Sequence, residues 1–235
     1  MNNRKKPLVL YQDLLSIPVR DRNEQFIPLD EIGVANGYWR TKQDMQPFLN
    51  GKLLVRTSVG LRLKRADVYL KQYCTRWSLY VTYGYRSLEI QTQSFMRVLR
   101  EQVDNSFIPD PVMLYELVHQ KIAVPTIAGH PTGGAVDIFI MNNETKKILD
   151  FGSEIYDYTK PLYPTFTKGL SEKTNQNRMI LRRIMIKAGF APYDGEWWHF
   201  SYGDREWAYF YGKKNALYKQ LSIPEVTKQI ACLNK

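Results

Sequence analysis

The chain has 235 residues and 44% of them are hydrophobic, which is typical of a globular protein and excludes a largely disordered one. This length suits one large domain or two small ones, and the sequence contains no internal repeat or low-complexity run. No apolar stretch approaches the length of a membrane span, so we expect no membrane partner.

The formal net charge is +10, with basic residues scattered along the chain. We favour a solvated basic surface over attraction to an acidic partner, and because no nucleic-acid motif is visible we expect no nucleic-acid partner. The two cysteines, Cys74 and Cys232, lack metal-type spacing, which favours reduced, buried thiols. The apolar run 7–10 is too short for a signal segment, and we therefore predict a cytoplasmic location.

Residues 1–50 carry few periodic signals. Prolines recur at positions 7, 18, 28 and 47, with Gly33 and Gly37 between them. We predict an N-terminal wrapping arm over 1–50 and a single catalytic domain over 51–235. Short strands are expected in the arm, and five apolar residues should pack it against the domain: Leu14, Ile17, Phe26, Tyr38 and Trp39.

The next elements follow from hydrophobic periodicity. Apolar residues at three- and four-residue steps predict a helix over 61–77, and a β-branched and aromatic run predicts a strand over 78–83. Ser87 is the expected N-cap of a second helix. Further predictions in chain order are a helix over 112–122, a core strand over 135–141, a turn and return strand over 142–149, and loops over 150–172. A helix over 174–188, a strand over 197–202 and an aromatic tail that packs back on the domain (Trp207, Tyr209, Phe210, Tyr211) complete the chain.

Helices and strands mix without strict alternation. This pattern favours an α+β fold with a central antiparallel sheet flanked by helices.

His130 and Asp137 form the first candidate site. His130 precedes the turn Gly133-Gly134, and Asp137 opens an otherwise apolar strand. A carboxylate in such a strand needs a partner, and a metal ion is one such partner. In the alternative interpretation, which we weigh equally on these residues alone, Asp137 caps the turn and His130 is a surface residue.

Glu196 and His199 form the second candidate site. They lie three positions apart around Trp197 and Trp198, so both reach one site only if the backbone bends, which Gly195 makes feasible. With His130 and Asp137, the two stretches offer three metal ligands and one spare carboxylate. A catalytic zinc site needs this set. The third histidine, His119, stands outside any motif and is interpreted as a core or surface residue.

The pattern His130-x-x-Gly133-x-Ala135-x-Asp137 with Glu196-x-Trp198-His199 resembles the zinc signature of the D-alanyl-D-alanine dipeptidases of vancomycin resistance. These belong to the zinc D,D-peptidases that share their fold with the hedgehog signalling domain. Tyr85-Arg86 after a strand, Phe151-Gly152-Ser153, Tyr156-Asp157 and Ala188-Gly189-Phe190 resemble further family segments. The likeness covers roughly residues 50–203.

The resemblance implies one zinc ion per chain, held by His130, Asp137 and His199. Glu196 would be the general base that takes a proton from water and passes it to the leaving amine, and Arg86 would stabilise the developing oxyanion. Asp157 would hold the ammonium of a small D,D-dipeptide substrate. Further substrate contacts are expected from three residues: Tyr85, Ser153 and Trp198.

Two alternatives stay open beside a zinc dipeptidase that hydrolyses D-alanyl-D-alanine. A D,D-carboxypeptidase or endopeptidase on longer peptidoglycan peptides is favoured by the basic charge and by Ala128, which stands where the family motif has serine. A non-catalytic zinc-containing binding module is disfavoured by Glu196, because a structural zinc site has no use for an unligated base. The oligomeric state does not follow from the sequence.

Overall fold

The structure is a computed structural model that describes residues 9–105, 108 and 110–233. These residues form seven α-helices and seven strands: α1 Tyr11–Leu15, β1 Phe26–Pro28, β2 Leu54–Arg56, α2 Thr57–Lys71, β3 Trp77–Tyr83, α3 Leu88–Asn105, α4 Pro111–His119, β4 Ala135–Asn142, β5 Lys147–Ile148, α5 Glu172–Lys187, β6 Ala191–Pro192, β7 His199–Ser201, α6 Arg205–Phe210 and α7 Ile223–Leu233. Two short 3₁₀ helices, Leu29–Ile32 and His130–Thr132, lie between them.

The central sheet has the strand order β3-β4-β7-β6, with β5 paired to the far end of β4, and every pair is antiparallel. Strand β4 lies in the middle, and its first six residues are buried. This explains why they are nearly all apolar, and why Asp137 among them needs compensation. The predicted α+β class with an antiparallel sheet is confirmed.

Helices α2 and α5 pack against each other, and α2 also packs against β3. The buried positions of α2 are Val59, Gly60, Leu63, Ala66 and Leu70, which recur at the three- and four-residue steps of an amphipathic helix. The predicted helix over 61–77 is displaced, because the helix begins at Thr57 and Trp77 already belongs to β3. Helix α5 ends before Gly189, whose φ of 95° is the left-handed value expected at C′.

Two predicted boundaries near the site are close to the observed ones. Helix α3 begins at Leu88, and the Ser87 hydroxyl accepts a hydrogen bond from the Ile90 backbone N–H at 3.2 Å, as an N-cap does. The strand predicted over 197–202 is shorter, because a turn occupies 194–198 and β7 begins at His199.

The N-terminal segment is integrated with the rest of the fold. Strand β1 pairs with β2, and the stretch around Asn36 bridges to Val81 of β3. Leu14 and Phe26 are buried, whereas Ile17, Tyr38 and Trp39 are partly buried against the core. The segment packs through the residues expected, but it also contains α1 and a 3₁₀ helix that were not predicted. The division at residue 50 stays a prediction.

The C-terminal aromatic residues divide into two groups. Trp207 is buried, and Phe210 and Tyr211 pack against the core. Tyr209 is 46% exposed, so its predicted packing is wrong, because it lies on the outer side of the short helix α6. Helices α6 and α7 were not predicted. Among the helices of the described residues, none has the length and apolar content needed to cross a membrane.

Candidate metal centre and active site

Three side chains of metal-ligating type meet on the central sheet. Ligand atoms of His130, Asp137 and His199 all lie within 4.8 Å of one another. His130 Nε2 is 3.4 Å from Asp137 Oδ2, and His199 Nδ1 is 3.0 Å from Asp137 Oδ1. Their side chains are 9%, 3% and 11% exposed, respectively, so water screens the cluster little. The structure therefore brings together the three residues predicted as metal ligands.

The sheet register explains how two of these residues meet. Asp137 of β4 is the direct cross-strand partner of His199 of β7. Side chains at directly opposed positions start with their Cβ atoms about 5 Å apart on the same face of the sheet, which lets both reach a single ion.

His130 comes from the 3₁₀ helix that precedes β4, and the turn after it is tightly constrained. Gly133 has a φ of 73°, and a Cβ placed there would lie 2.3 Å from Cε1 of Phe26. The buried Arg56 donates from Nε to the Thr132 carbonyl at 2.8 Å, and its backbone N–H donates to the Gly133 carbonyl at 3.0 Å. These contacts hold the segment that carries His130 against the sheet.

The polar neighbours of the two rings indicate which nitrogen of each faces the cluster. His130 Nδ1 lies 2.8 Å from the Gly84 carbonyl, which can only accept, so Nδ1 carries the proton and the Nε2 lone pair points to Asp137. His199 has the opposite orientation, with Nδ1 towards Asp137 and Nε2 3.7 Å from Oε2 of Glu206. An acceptor behind each ring is the usual arrangement of histidine ligands in metal sites.

The charges in the cluster favour a cation. Burial alone would raise the pKa of Asp137, but His130 and His199 hold it well below its usual range. Burial lowers the pKa of His130, which leaves that ring neutral. Burial also acts to lower the pKa of His199, but Asp137, Glu206 and Glu196 raise it to about 9. Two imidazole nitrogens and one carboxylate oxygen form a donor set that suits zinc, and these residues fit such an ion.

Tyr156 supports the carboxylate ligand from behind. Its hydroxyl donates to Asp137 Oδ2 at 2.9 Å and lies 3.0 Å from Thr82 Oγ1, which in turn donates to the Asp137 carbonyl at 3.2 Å. Tyr156 has a φ of 64°, an uncommon value for a residue with a side chain. A strained backbone in contact with a candidate ligand indicates a functional constraint.

Glu196 lies in the turn before β7. The His199 backbone N–H donates to the Glu196 carbonyl at 3.3 Å, so the chain bends between these residues as their spacing requires. The Glu196 carboxylate accepts a hydrogen bond from the Tyr158 hydroxyl at 2.6 Å. Burial raises the pKa of Glu196 above its usual value, although the Tyr158 hydroxyl opposes this effect. A raised pKa suits a base that must take up a proton and release it again.

Arg86 extends from the end of β3 into the same region and is 7% exposed. Its Nε donates to the Tyr83 hydroxyl at 3.2 Å and its Nη1 to Gln91 Oε1 at 2.8 Å. The Tyr83 hydroxyl in turn donates to Asp44, which comes from the N-terminal segment. Burial alone would lower the pKa of Arg86, but Tyr83 and Asp44 raise it above its usual value. The guanidinium is therefore charged and held in place.

These groups share one cavity of about 420 Å³, which we call the site cavity. Its lining includes the three candidate ligands together with Arg86, Glu196 and Lys42. Ala128 also lines the cavity and offers no hydroxyl there. A larger depression of about 620 Å³ lies over α5, but the cluster of three ligands found among the described residues is in the smaller cavity. The chemistry therefore points to the site cavity.

Tyr85 and Trp198, two predicted substrate contacts, lie outside the cavity lining. The Tyr85 side chain is buried, and its hydroxyl donates to the Leu221 carbonyl at 2.9 Å on the side of the chain away from the cavity. Trp198 is fully buried behind the rings of Tyr156 and Tyr158, with each ring centroid 5.7 Å away. Trp198 therefore packs behind the two tyrosines that line the cavity and does not reach the cavity itself.

Ser153 and Asp157 also lie apart from the cavity. Ser153 accepts a hydrogen bond from Trp197 Nε1 at 3.0 Å and lines a separate apolar cavity. Asp157 accepts hydrogen bonds from the backbone and side chain of Thr159, at 3.0 and 2.6 Å, which fold its carboxylate into a local turn. These contacts also lower the pKa of Asp157. Its predicted role in binding an ammonium group stays a prediction that its position does not support.

The cavity residues that were missed from the sequence include Lys42, Tyr156, Tyr158 and Glu206. Tyr156 stands in a segment that was noticed, but the functional role was given to the neighbouring Asp157. Burial raises the pKa of Glu206 to about 7. Glu206 lies on α6, in the aromatic tail, and no spacing links it to His199. The position of His119 at the far end of the cavity was also not foreseen.

Comparison with known proteins adds a family match. A family model described as Peptidase_M15, D-ala-D-ala dipeptidase, matches residues 35–220. A D-alanyl-D-alanine dipeptidase of Synechocystis sp. (strain ATCC 27184 / PCC 6803 / Kazusa) is 27% identical over 234 residues, covering 88% of this chain and 94% of that protein. One of Enterococcus faecalis (strain ATCC 700802 / V583) is 26% identical over 153 residues, covering 63% and 73%.

Among solved structures, the chain shows a weak likeness to the vancomycin resistance D,D-dipeptidase VanXYg in complex with a D-Ala-D-Ala phosphinate analog. It is 18% identical with a TM-score of 0.43, and the likeness covers 97% of this chain and 77% of that one.

Proposed function

The chain belongs to the Peptidase_M15 family of D-ala-D-ala dipeptidases, and from this premise we propose that it hydrolyses D-alanyl-D-alanine with one zinc ion per chain. The observation that carries the proposal is that one cavity is lined by His130, Asp137, His199, Glu196 and Arg86. These residues would supply three metal ligands, a base and an anion-stabilising cation.

The two histidines and the aspartate would hold the metal through His130 Nε2, an Asp137 carboxylate oxygen and His199 Nδ1. When bound, zinc supplies a Lewis acid that lowers the pKa of a coordinated water to about 7. Three protein ligands leave room for that water and for the substrate. The hydrogen bonds from His130 to Gly84 and from Tyr156 to Asp137 preset the orientation of both ligands before an ion arrives.

Glu196 would move the proton. Its carboxylate accepts a proton from the attacking water as the water oxygen bonds to the carbonyl carbon of the peptide. When the C–N bond then breaks, Glu196 returns the proton to the leaving amine, so it ends the cycle as it began. Burial in the cavity raises the pKa of Glu196, which makes its carboxylate a stronger base in the first half of this cycle.

Arg86 would stabilise the negative charge that develops on the carbonyl oxygen. Its guanidinium is charged and held by Tyr83 and Gln91, so little reorganisation is required during the reaction. Fixed donors aimed at a developing charge in a water-poor cavity are an effective source of rate enhancement.

The test is release of free D-alanine from D-alanyl-D-alanine by the purified protein, with and without a chelator and with zinc added back. We expect release that stops with the chelator and returns with zinc. Absence of release with one zinc bound per chain would contradict the proposal. Comparing the dipeptide with a pentapeptide stem separates a dipeptidase from the D,D-carboxypeptidase alternative, which stays a prediction, as does the cytoplasmic location.

A further inference from the structure

Lys42 is an N-terminal residue whose side chain reaches the site cavity. The backbone around it is anchored on both sides: its N–H donates to the Trp39 carbonyl at 2.8 Å, and the Trp39 ring packs on Phe139 with centroids 5.8 Å apart. Three residues later, Met45 is fully buried. The stretch that carries Lys42 is therefore fixed against the domain, and its side chain enters the cavity from a defined position.

The ammonium group lies close to the chemistry of the site. Lys42 Nζ is 5.7 Å from the centroid of the Tyr83 ring and 5.8 Å from that of Tyr156. The Arg86 guanidinium carbon is 4.8 Å from the same Tyr83 ring, and the Tyr156 hydroxyl binds Asp137. Lys42 thus shares one aromatic neighbour with the oxyanion-stabilising arginine and another with a metal ligand.

Lys42 differs from the other cations of the cavity in having no polar partner among the described residues. The others are partnered: Arg86 by Tyr83 and Gln91, Arg97 by Glu101 at 2.7 Å, and Lys121 by Gln102 at 3.0 Å. Burial and Arg86 lower the pKa of Lys42 to about 8, which still leaves most of it charged at pH 7. A partly buried charge without a partner is costly, and an anionic ligand would remove that cost.

The chemistry of the proposed substrate identifies the anion. In D-alanyl-D-alanine the scissile carbonyl would bind at the metal cluster and Arg86. The negatively charged group of the substrate is its C-terminal carboxylate, which neither of these would bind. Resting on the proposed function, we infer that Lys42 binds this carboxylate and makes the enzyme prefer a free acid at the substrate's C-terminus. The N-terminal segment would then supply a specificity-determining residue.

The experiment compares D-alanyl-D-alanine with D-alanyl-D-alaninamide, which lacks the carboxylate charge. We expect Lys42→Met to lower kcat/KM for the acid about tenfold, near the low end for a bond to a charged group because Lys42 is partly exposed. The amide should change by less than about twofold, and Lys42→Arg should keep most of the preference for the acid. An equal loss on both substrates, or no loss on either, would overturn the assignment.

Lys52→Met is the matched control, because Lys52 lies ten positions after Lys42, just beyond the N-terminal segment, and is exposed. Zinc content, measured in every variant, reports whether the site is intact. D-alanyl-D-alanine and D-alanyl-D-alaninamide are also titrated calorimetrically into the Glu196→Gln protein, with and without Lys42→Met. This titration measures binding without turnover. Suppose that neither the wild type nor any variant releases D-alanine, but the acid binds more tightly than the amide and Lys42→Met removes this difference. The proposed hydrolysis is then wrong and the carboxylate site is supported. Equal binding of acid and amide to the Glu196→Gln protein would refute the carboxylate site.

Discussion

Replacing Tyr158 by phenylalanine should move the acid limb of the pH profile to higher pH. The Tyr158 hydroxyl donates to Glu196 Oε1 at 2.6 Å, and this bond stabilises the ionised carboxylate. Without it the pKa of Glu196 rises, because burial already raises that pKa and one of the opposing groups is gone. The active form of the base is the ionised one, so activity is then lost at a higher pH than in the unmodified protein.

The size of the shift follows from the environment of the bond. A hydrogen bond to a charged group contributes about 1.5–3 kcal/mol when buried. Tyr158 is 50% exposed, so water can replace part of the lost hydrogen bond. We therefore expect its removal to destabilise the ionised carboxylate by about 1 kcal/mol. Since one pKa unit corresponds to about 1.4 kcal/mol, the acid limb should move up by about 0.5–1 pH unit.

The assay is kcat/KM for D-alanyl-D-alanine between pH 5 and 9, measured at full zinc loading. Tyr163→Phe is the control: its ring packs against Tyr158 with centroids 5.2 Å apart and lines the same cavity, but the hydrogen bond to Glu196 comes from Tyr158. The control should leave the acid limb in place. An acid limb of the pH profile that is unchanged in Tyr158→Phe, or that moves to lower pH, would refute this role of the hydroxyl.

Three further predictions concern the metal centre and its support. Zinc affinity should rise about tenfold per pH unit between pH 7 and 9, because the metal-free His199 has a pKa of about 9 and zinc must displace its proton; competition with a chromophoric chelator measures this. Tyr156→Phe removes the donor to Asp137 and should weaken zinc binding or activity by about 10–100-fold, measured by the same competition and by turnover. Gly133→Ala should destabilise the protein by about 2 kcal/mol or more in thermal denaturation, because a Cβ at a φ of 73° meets Phe26.

Each of these has an outcome that would count against it. Zinc affinity independent of pH would mean that His199 is not protonated in the metal-free site. Unchanged zinc affinity and turnover in Tyr156→Phe would mean that its hydroxyl does not support Asp137. Gly169→Ala is the control for the glycine variant, since Gly169 has a φ of 82° with open space around it. Equal stability losses at Gly133 and Gly169 would show that contact with Phe26 contributes nothing.

The candidate residues within each of the two stretches could be identified from the sequence because their local pattern depends on short-range geometry. Asp137 is the third residue of a buried strand, and the spacing of Glu196 and His199 demands a bend that the structure contains. The assembly of the two stretches was inferred from family resemblance. The structure shows why the two stretches meet: the cross-strand register pairs Asp137 with His199.

Two of the predicted substrate contacts, Tyr85 and Asp157, face away from the cavity, and each is the neighbour of a residue that faces it. Arg86 enters the cavity, but the adjacent Tyr85 points to the other side of the extended chain, as successive side chains in a strand do. Tyr156 reaches Asp137, and the left-handed backbone at that residue turns Asp157 away into a turn of its own. Resemblance located both segments, but it did not determine which side chain of each pair faces the site.

Lys42 and Glu206 could not be predicted because only tertiary packing brings them to the cavity. Lys42 lies 88 positions before His130, on a segment with little regular structure whose path depends on the packing of Trp39 and Met45. Glu206 lies on a helix of six residues, too short for a clear periodic signal.

The most direct test of the central claim compares hydrolysis of D-alanyl-D-alanine by the wild-type protein and by Glu196→Gln, with zinc content measured in the same samples. Glutamine keeps the shape of the side chain but cannot take up the proton. We expect one zinc per chain in both proteins and a fall in kcat of at least about a hundredfold in the variant. Hydrolysis at the wild-type rate by Glu196→Gln with zinc still bound would contradict the central claim.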